Sequence, residues 1–301
     1  MLRQSENKVK IEGILSEIDL ADRSFVKDGV NTEAIGGSIK VLVEQEINKV
    51  NTTLEIPVYM FSTKLTRAGK INPAYESIAT IKNDFISIAA CGDKDKADRI
   101  RITNAQIRMN EFIGQNGTLV SSPRVHASFA SRVIGTFKPE ASFTLEFMVS
   151  DINRVTDNQG VELDPPKLNI VAIVPQYGEK VDVVPLYAIG PNVVSAIENY
   201  WEPGYCYRAN GKLNFSSTTE KTYEEVDFGE PVEKIRTINV SEFIITGGAQ
   251  APLDEEFAFS PDDIRKAVAE RKQRLDDMRT NNVQKQVPPQ TSKKGKIDLG
   301  F

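Results

Sequence analysis

Two aromatic residues in alternate positions, followed at once by three cations, are the part of this sequence best suited to chemistry. Residues 56–63 read IPVYMFST. In a strand, Ile56, Val58 and Met60 share one face, and Glu55, Pro57, Tyr59, Phe61 and Thr63 share the other. The polar members mark the second face as the outer one, so Tyr59 and Phe61 are expected to be exposed. The adjoining STKLTRAGK at 62–70 adds Lys64, Arg67 and Lys70 beside Gly69. Binding a single nucleic-acid strand without sequence preference needs these two ingredients. Aromatic faces stack on bases, each worth about 1–3 kcal/mol, and cations neutralise the backbone. The competing account is that the rings pack against a neighbouring part of the protein and the cations are ordinary solvated charges.

Further cations lie on strand patterns. In RIRITNAQIRMNEF at 99–112, Ile107 and Met109 read as inward. Asn104, Gln106 and Arg108 then face outward, with Arg99 and Arg101 at the strand's start. Farther on, Tyr205, Tyr207, Leu213 and Phe215 share one parity, and Arg208, Asn210, Lys212 and Asn214 the other. Arg124, His126 and Arg132 are weaker candidates in a later strand. For all these polar faces the plain alternative is the wet side of an antiparallel sheet.

Enzymatic chemistry finds little footing. His126 is the one histidine in 301 residues, so no histidine-based metal cluster can form within the chain. A Ser-His-Asp site would rest on that residue alone. There is no Walker-type loop and no Rossmann glycine fingerprint. Cys91 and Cys206 show no metal-binding spacing and are expected to stay reduced. No cofactor is implied.

Charge narrows the choice of partner. The net charge is −5 and the pI about 5.3. Residues 58–138, however, hold 12 Lys/Arg against 6 Asp/Glu, while residues 141–250 hold 8 against 16. A local excess is enough for a polyanion-binding face. Mean hydropathy is −0.32, no apolar run reaches membrane-helix length, and MLRQSENKVK lacks a secretory apolar core. A cytoplasmic protein without membrane contact is expected.

These residues sit on a repeated framework. IEGILSEID at 11–19 matches LEFMVSDIN at 145–153, and IPVYMF at 56–61 matches VPLYAI at 184–189. Asn72-Pro73 matches Gly190-Pro191, and NAQIR at 104–108 matches NGKLN at 210–214. The offsets are 134, 128, 118 and 106, falling steadily as loops shorten. Each copy reads as three strands, a helix and two strands. The strands fall near 8–18, 37–47, 54–63, 99–113 and 118–134, then near 142–153, 167–175, 180–189, 204–215 and 235–246. The helices fall near 73–88 and 191–201, with Trp201 as core of the second. This all-β dominated order is that of two tandem OB-like five-stranded barrels, each with its helix between the third and fourth strands. The expected divisions are 1–140, 141–250 and a tail at 251–301. In the tail, Ser260, Pro261, Asp262 and Asp263 open a helix over 261–280. Its stripe of Ile264, Val268, Leu275 and Met278 must dock on the body or on a partner. A flexible linker follows.

Residues 195–215, SAIENYWEPGYCYRANGKLNF, resemble the corresponding stretch of single-stranded DNA-binding proteins, with Gly204 and Gly211 where that pattern places glycines. The tandem arrangement looks like a phage-type version of that family. The resemblance implies an OB fold that binds single-stranded DNA, with RNA left open, during replication or recombination. It also implies a C-terminal tip that recruits replication or recombination proteins. The tip departs from the pattern, because Lys293, Lys294 and Lys296 stand where an acidic run is expected before Asp298-Leu299-Gly300-Phe301.

The sequence therefore points to a non-catalytic single-strand binder. The candidate contacts are Tyr59, Phe61, Lys64, Arg67, Lys70, Arg99, Arg101, Arg108, Arg124, Arg208 and Lys212. The first copy would do most of the binding. The second, with its acidic YEEVDFGEPVE at 223–233, would serve packing, self-association or protein contacts. The alternatives are an assembly adaptor that uses the same barrels for protein contacts and, more remotely, a nuclease subunit.

Overall fold

Alternating aliphatic residues write the core of this protein strand by strand. In β3 (Val50–Thr63), Leu54, Ile56, Val58 and Met60 are all buried. In β2 (Val30–Ile47), Ile39, Val41 and Val43 face them. Period-two burial of this kind is what an antiparallel sheet with one wet face requires. The computed structural model describes residues 2–27, 29–47, 49–224 and 232–286.

The first barrel contains β1 (Asn7–Lys27), β2, β3, α1 (Pro73–Asp84), α2 (Ile88–Cys91), β4 (Arg99–Ile113), β5 (Leu119–His126) and the short β6 (Ser131–Arg132). Strand β1 pairs with β2 and β2 with β3, both antiparallel. Strand β3 runs parallel to β5, β5 pairs with β4, and β4 returns to β1. The second barrel is built from β7 (Glu140–Arg154), β8 (Lys167–Pro175), β9 (Val181–Ile189), α3 (Pro191–Tyr200), β10 (Cys206–Glu224) and β11 (Val232–Gly248). It closes in the same order: β7 with β8, β8 with β9, β9 parallel to β11, β11 with β10, and β10 with β7. Both are OB-like barrels.

The register reproduces the sequence repeat. The irregularity between Leu15 and Glu17 in β1 recurs between Val149 and Asp151 in β7, at the offset of 134. Tyr59 lies opposite His126, and Tyr187 opposite Ile244. Val9 lies opposite Ala105, and Phe143 opposite Gly211, which gives the offset of 106.

One helix in each barrel, α1 and α3, closes it by local sequence. Asn72 Oδ1 accepts from the Ala74 N–H at 3.1 Å, Pro73 opens the first turn, and Ile78 and Ile81 plug the core. In α3, Val194 and Ile197 do the same. Trp201 is buried just beyond, stacked on Tyr207 at 4.8 Å and edge-on to Phe147. Its indole N–H donates to the Ala249 carbonyl at 2.8 Å. It is core, as its place on the helix suggests.

Among the described residues the two barrels share one sheet of eleven strands, because residues 7–12 of β1 pair with β7 as well as lying along β4. The tail helix α4 (Pro261–Gln286) docks on the protein's own body. Ile264 and Ala267 pack with Leu2, Met148, Ile173, Val181, Cys206 and Phe259. One turn farther, Arg271 and Arg274 both grip Glu111 of β4, whose side chain is buried. The helix thus touches both barrels. No helix is long and apolar enough to cross a membrane, among the described residues.

Two strands depart from the pattern read in sequence. Strand β1 runs nine residues past Ile18, paired throughout with β2. Residues 21–26 are exposed on both faces, so this ribbon carries no hydrophobic period to read. The expected strand at 118–134 is broken after His126, and only Ser131–Arg132 pair again, with β4.

Candidate nucleic-acid interface

The outer face of the first barrel collects a row of side chains from five strands. Asp19, Ser38, Tyr59, His126 and Gln106 lie opposite one another in β1, β2, β3, β5 and β4. One step along, Arg124 stands opposite Arg108. Tyr59 is half-buried, and its ring stacks on His126 with centroids 5.8 Å apart and planes at 30°. The Arg124 guanidinium lies 4.2 Å from the Tyr59 ring centre. A cation over an aromatic face is held by the ring quadrupole while its N–H edges stay available. Arg124 forms no ion pair among the described residues. Phe61 is 53% exposed and faces Phe25 of the β1–β2 ribbon. The outward placement of Tyr59 and Phe61 is as their alternation with Ile56, Val58 and Met60 predicts.

His126 belongs to this cluster and is held neutral. Burial pushes its pKa down from 6.5 to about 4, and the positive charges of Arg108 and Arg124 add to the shift. The unfolded chain therefore takes up a proton between about pH 6.5 and 4 that the folded one does not. This contribution to stability is complete above about 6.5 and is lost as the pH falls toward 4. Denaturant titrations at pH 7 and pH 5 should show His126→Gln losing less stability on acidification than the parent, by about 1–2 kcal/mol. Equal losses in the two proteins would contradict this assignment.

The remaining candidate cations fall into three groups. Lys64 is paired with Glu33, which raises its pKa. Arg67 and Lys70 are exposed in a turn held by the Thr66 N–H to Lys70 carbonyl bond at 2.8 Å, and neither has an ion pair among the described residues. Lys64 has the opposite parity to Tyr59 and Phe61, and its pair with Glu33 lies on the α1 side of the sheet near Tyr75, whereas Arg67 and Lys70 project from the turn beyond β3. Arg108 shares the Tyr59 face, but its Nε donates to Asp182 of β9 at 3.1 Å. Asp182 is buried at the contact between the barrels, and burial pushes its pKa up against the pull of Arg108.

Arg99 and Arg101 lie elsewhere. Strand β4 pairs with β5 over 106–113 but with β1 over 99–105, so its start faces out beside β1 and β6. Arg101 binds Glu12 at 2.6 Å, and this contact is the first cause holding the buried Glu12 carboxyl below its usual range. Arg99 lies over Phe137. On the second barrel, Arg208 pairs with Glu6 at 2.7 Å, and Lys212 donates to the Glu46 carbonyl at 2.5 Å. Residues 225–231 of the acidic stretch and the chain end at 287–301 lie outside the described residues.

Sequence reasoning missed Phe25 and the counter-charges Glu12 and Asp182. Phe25 sits on a ribbon without a pattern. Glu12 and Asp182 meet arginines 89 and 74 residues away in sequence, which no local spacing reveals. Among the described residues no group of three or more His, Cys, Asp or Glu is placed to hold a metal ion.

Strand order and outer face together define a double OB-fold protein whose first barrel carries an aromatic and basic surface. The chain belongs to the YorF family, whose model matches residues 5–281. Among solved structures it is similar to a deletion variant of the single-stranded DNA binding protein from Thermus aquaticus, at 12% identity and a TM-score of 0.50. That match covers 84% of this chain and 97% of the other. The wild-type Thermus aquaticus protein matches at 11% identity and a TM-score of 0.49, covering 84% and 95%. At 12% identity the first likeness establishes a shared fold. No curated protein sequence matches the chain.

Proposed function

We propose that this protein is a non-catalytic single-stranded DNA-binding protein that coats or protects DNA during replication or recombination, as in a phage system, in the cytoplasm. The observation that carries the reading is the Arg124–Tyr59–His126 stack beside exposed Phe61, on the outer face of an OB-like barrel. It offers stacking surface and unpaired cation on one face, the combination a flexible strand needs. The protein of similar fold from Thermus aquaticus is described as binding single-stranded DNA, which supports the reading. Residues 1–140 would supply the binding domain, residues 141–250 a packing or protein-contact domain, and residues 251–301 a tail.

Fluorescence anisotropy with labelled oligo-dT and a matched duplex, at two salt concentrations, tests the proposal. The expected result is preference for the single strand and weakening with salt. Tyr59→Ala combined with Phe61→Ala should weaken binding by about 100-fold or more while the protein stays folded. Equal affinity for both DNAs, or no salt effect, would remove the proposal. The second reading is an assembly adaptor, and one observation favours it: Lys64, Arg101, Arg108 and Arg208 are already paired with carboxylates. It predicts negligible affinity for either DNA together with stable protein complexes.

A further inference from the structure

The β1–β2 ribbon ends beside the proposed binding face, and its approach is built into the backbone. Gly36 and Gly37 lie where β2 leaves the barrel. A Cβ on Gly37, at φ +155°, would stand 1.9 Å from the Asp19 carbonyl oxygen. A Cβ on Gly36 would stand 2.8 Å from the Phe61 ring. Side chains at either position would push β1 away or lift the ring. With glycine at both, the strands cross closely and Phe25 comes over Phe61. The Arg23 guanidinium ties the ribbon back, donating to the Gly36 carbonyl at 3.3 Å.

The two rings then stand with centroids 6.3 Å apart and planes tilted by 35°. Phe25 is 38% exposed and Phe61 53%. A close hydrophobic pair would shield its own faces from water, whereas this one leaves much of both rings wet. A planar base between two rings needs roughly 7 Å, twice the stacking distance of about 3.4 Å. The centroid separation is short of that by under an ångström, and the 35° tilt must also close for both faces to stack. Residues 21–26 of β1 are exposed, and beyond the Arg23–Ala34 pair the ribbon lies past the β2–β3 ladder, so its outer part can supply such a movement. Tyr59 lies two residues from Phe61 on the same face, at roughly 7 Å along the strand. That separation suits adjacent bases of an extended single strand.

We propose that Phe25 and Phe61 form a base-sandwich subsite, in which the β1–β2 ribbon acts as a movable jaw closing on one nucleobase of a single strand. This rests on the single-strand reading above and adds a contact from β1. Stacking on both faces makes the subsite indifferent to which base is held. It also excludes duplex, whose bases are not free to enter.

The test is a double-mutant cycle read by anisotropy with labelled oligo-dT. Phe25→Ala should weaken binding about tenfold in the parent, and by less than about threefold in a Phe61→Ala background, since a sandwich needs both rings. Phe25→Leu, which keeps apolar bulk but loses the flat face, should also weaken binding. An oligonucleotide composed of abasic sites should bind the parent and Phe25→Ala alike. If the parent binds oligo-dT and Phe25→Ala binds equally well, the subsite is wrong while the single-strand reading stands. If the parent does not bind, both fall. A lowered melting temperature for Phe25→Ala with unchanged affinity would make the ring pair structural and overturn the subsite.

Discussion

Gly211→Ala should destabilise the protein by about 3 kcal/mol or more, measured by chemical denaturation. In β10, a Cβ at this position would stand 2.2 Å from the Ile244 carbonyl oxygen and 2.3 Å from the Phe143 ring. One neighbour is backbone and the other a buried aromatic in edge contact with Phe243, so neither can give way cheaply. The repeat explains why glycine is needed here. The equivalent position in the first barrel is Ala105, and it faces Val9, where Gly211 faces Phe143. The second barrel carries a larger side chain on one strand and none on the other. Gly211→Ala with Phe143→Val therefore restores the first barrel's steric arrangement on that side. The pair should be less destabilised than the sum of the single changes by about 1–2 kcal/mol. The carbonyl contact persists in the pair, so rescue should be partial. Additive losses would show that the two positions do not share their space.

The same comparison shows what the sequence could and could not reveal. Four short blocks were enough to read the duplication, because strand alternation and helix-opening prolines are local signals. The register of the barrels reproduces their offsets at Val149, Tyr187 and Gly211. The outward placement of Tyr59 and Phe61 was legible for the same reason. What was not legible is long-range pairing. Arg108 had the right parity to face outward, and Arg101 lay at the strand's start, yet each ends on a carboxylate, one of them from the other barrel. Arg99 shares a strand with Arg108 but not a face, because β4 changes partner from β1 to β5 along its length. The docking helix was legible from Ile264 onward, but its seat was not. Leu2, Cys206 and the Glu111 carboxylate come from three distant segments.

That sorting of the cations sets the last and largest expectation for binding. Neutralising a phosphate releases counterions, so each contact adds about 0.7 to the salt slope for a single strand. A cation already held by a carboxylate releases little on meeting a phosphate, because its partner must be given up. Arg67, Lys70 and Arg124 have no carboxylate partner among the described residues; Arg124 stands over Tyr59, and Arg67 and Lys70 project from the turn that follows β3. Changing all three to Gln should flatten the slope of log K against log salt by about 2 and weaken binding at low salt by about 100-fold or more. Changing Arg101 and Arg208 to Gln should leave the slope within about 0.5, because Glu12 and Glu6 already hold them. Arg99→Gln is the geometric control: its charge has no carboxylate partner among the described residues but faces away, beside β6. A slope that falls equally for Arg99→Gln and Arg124→Gln would mean that the strand wraps the barrel rather than crossing one face.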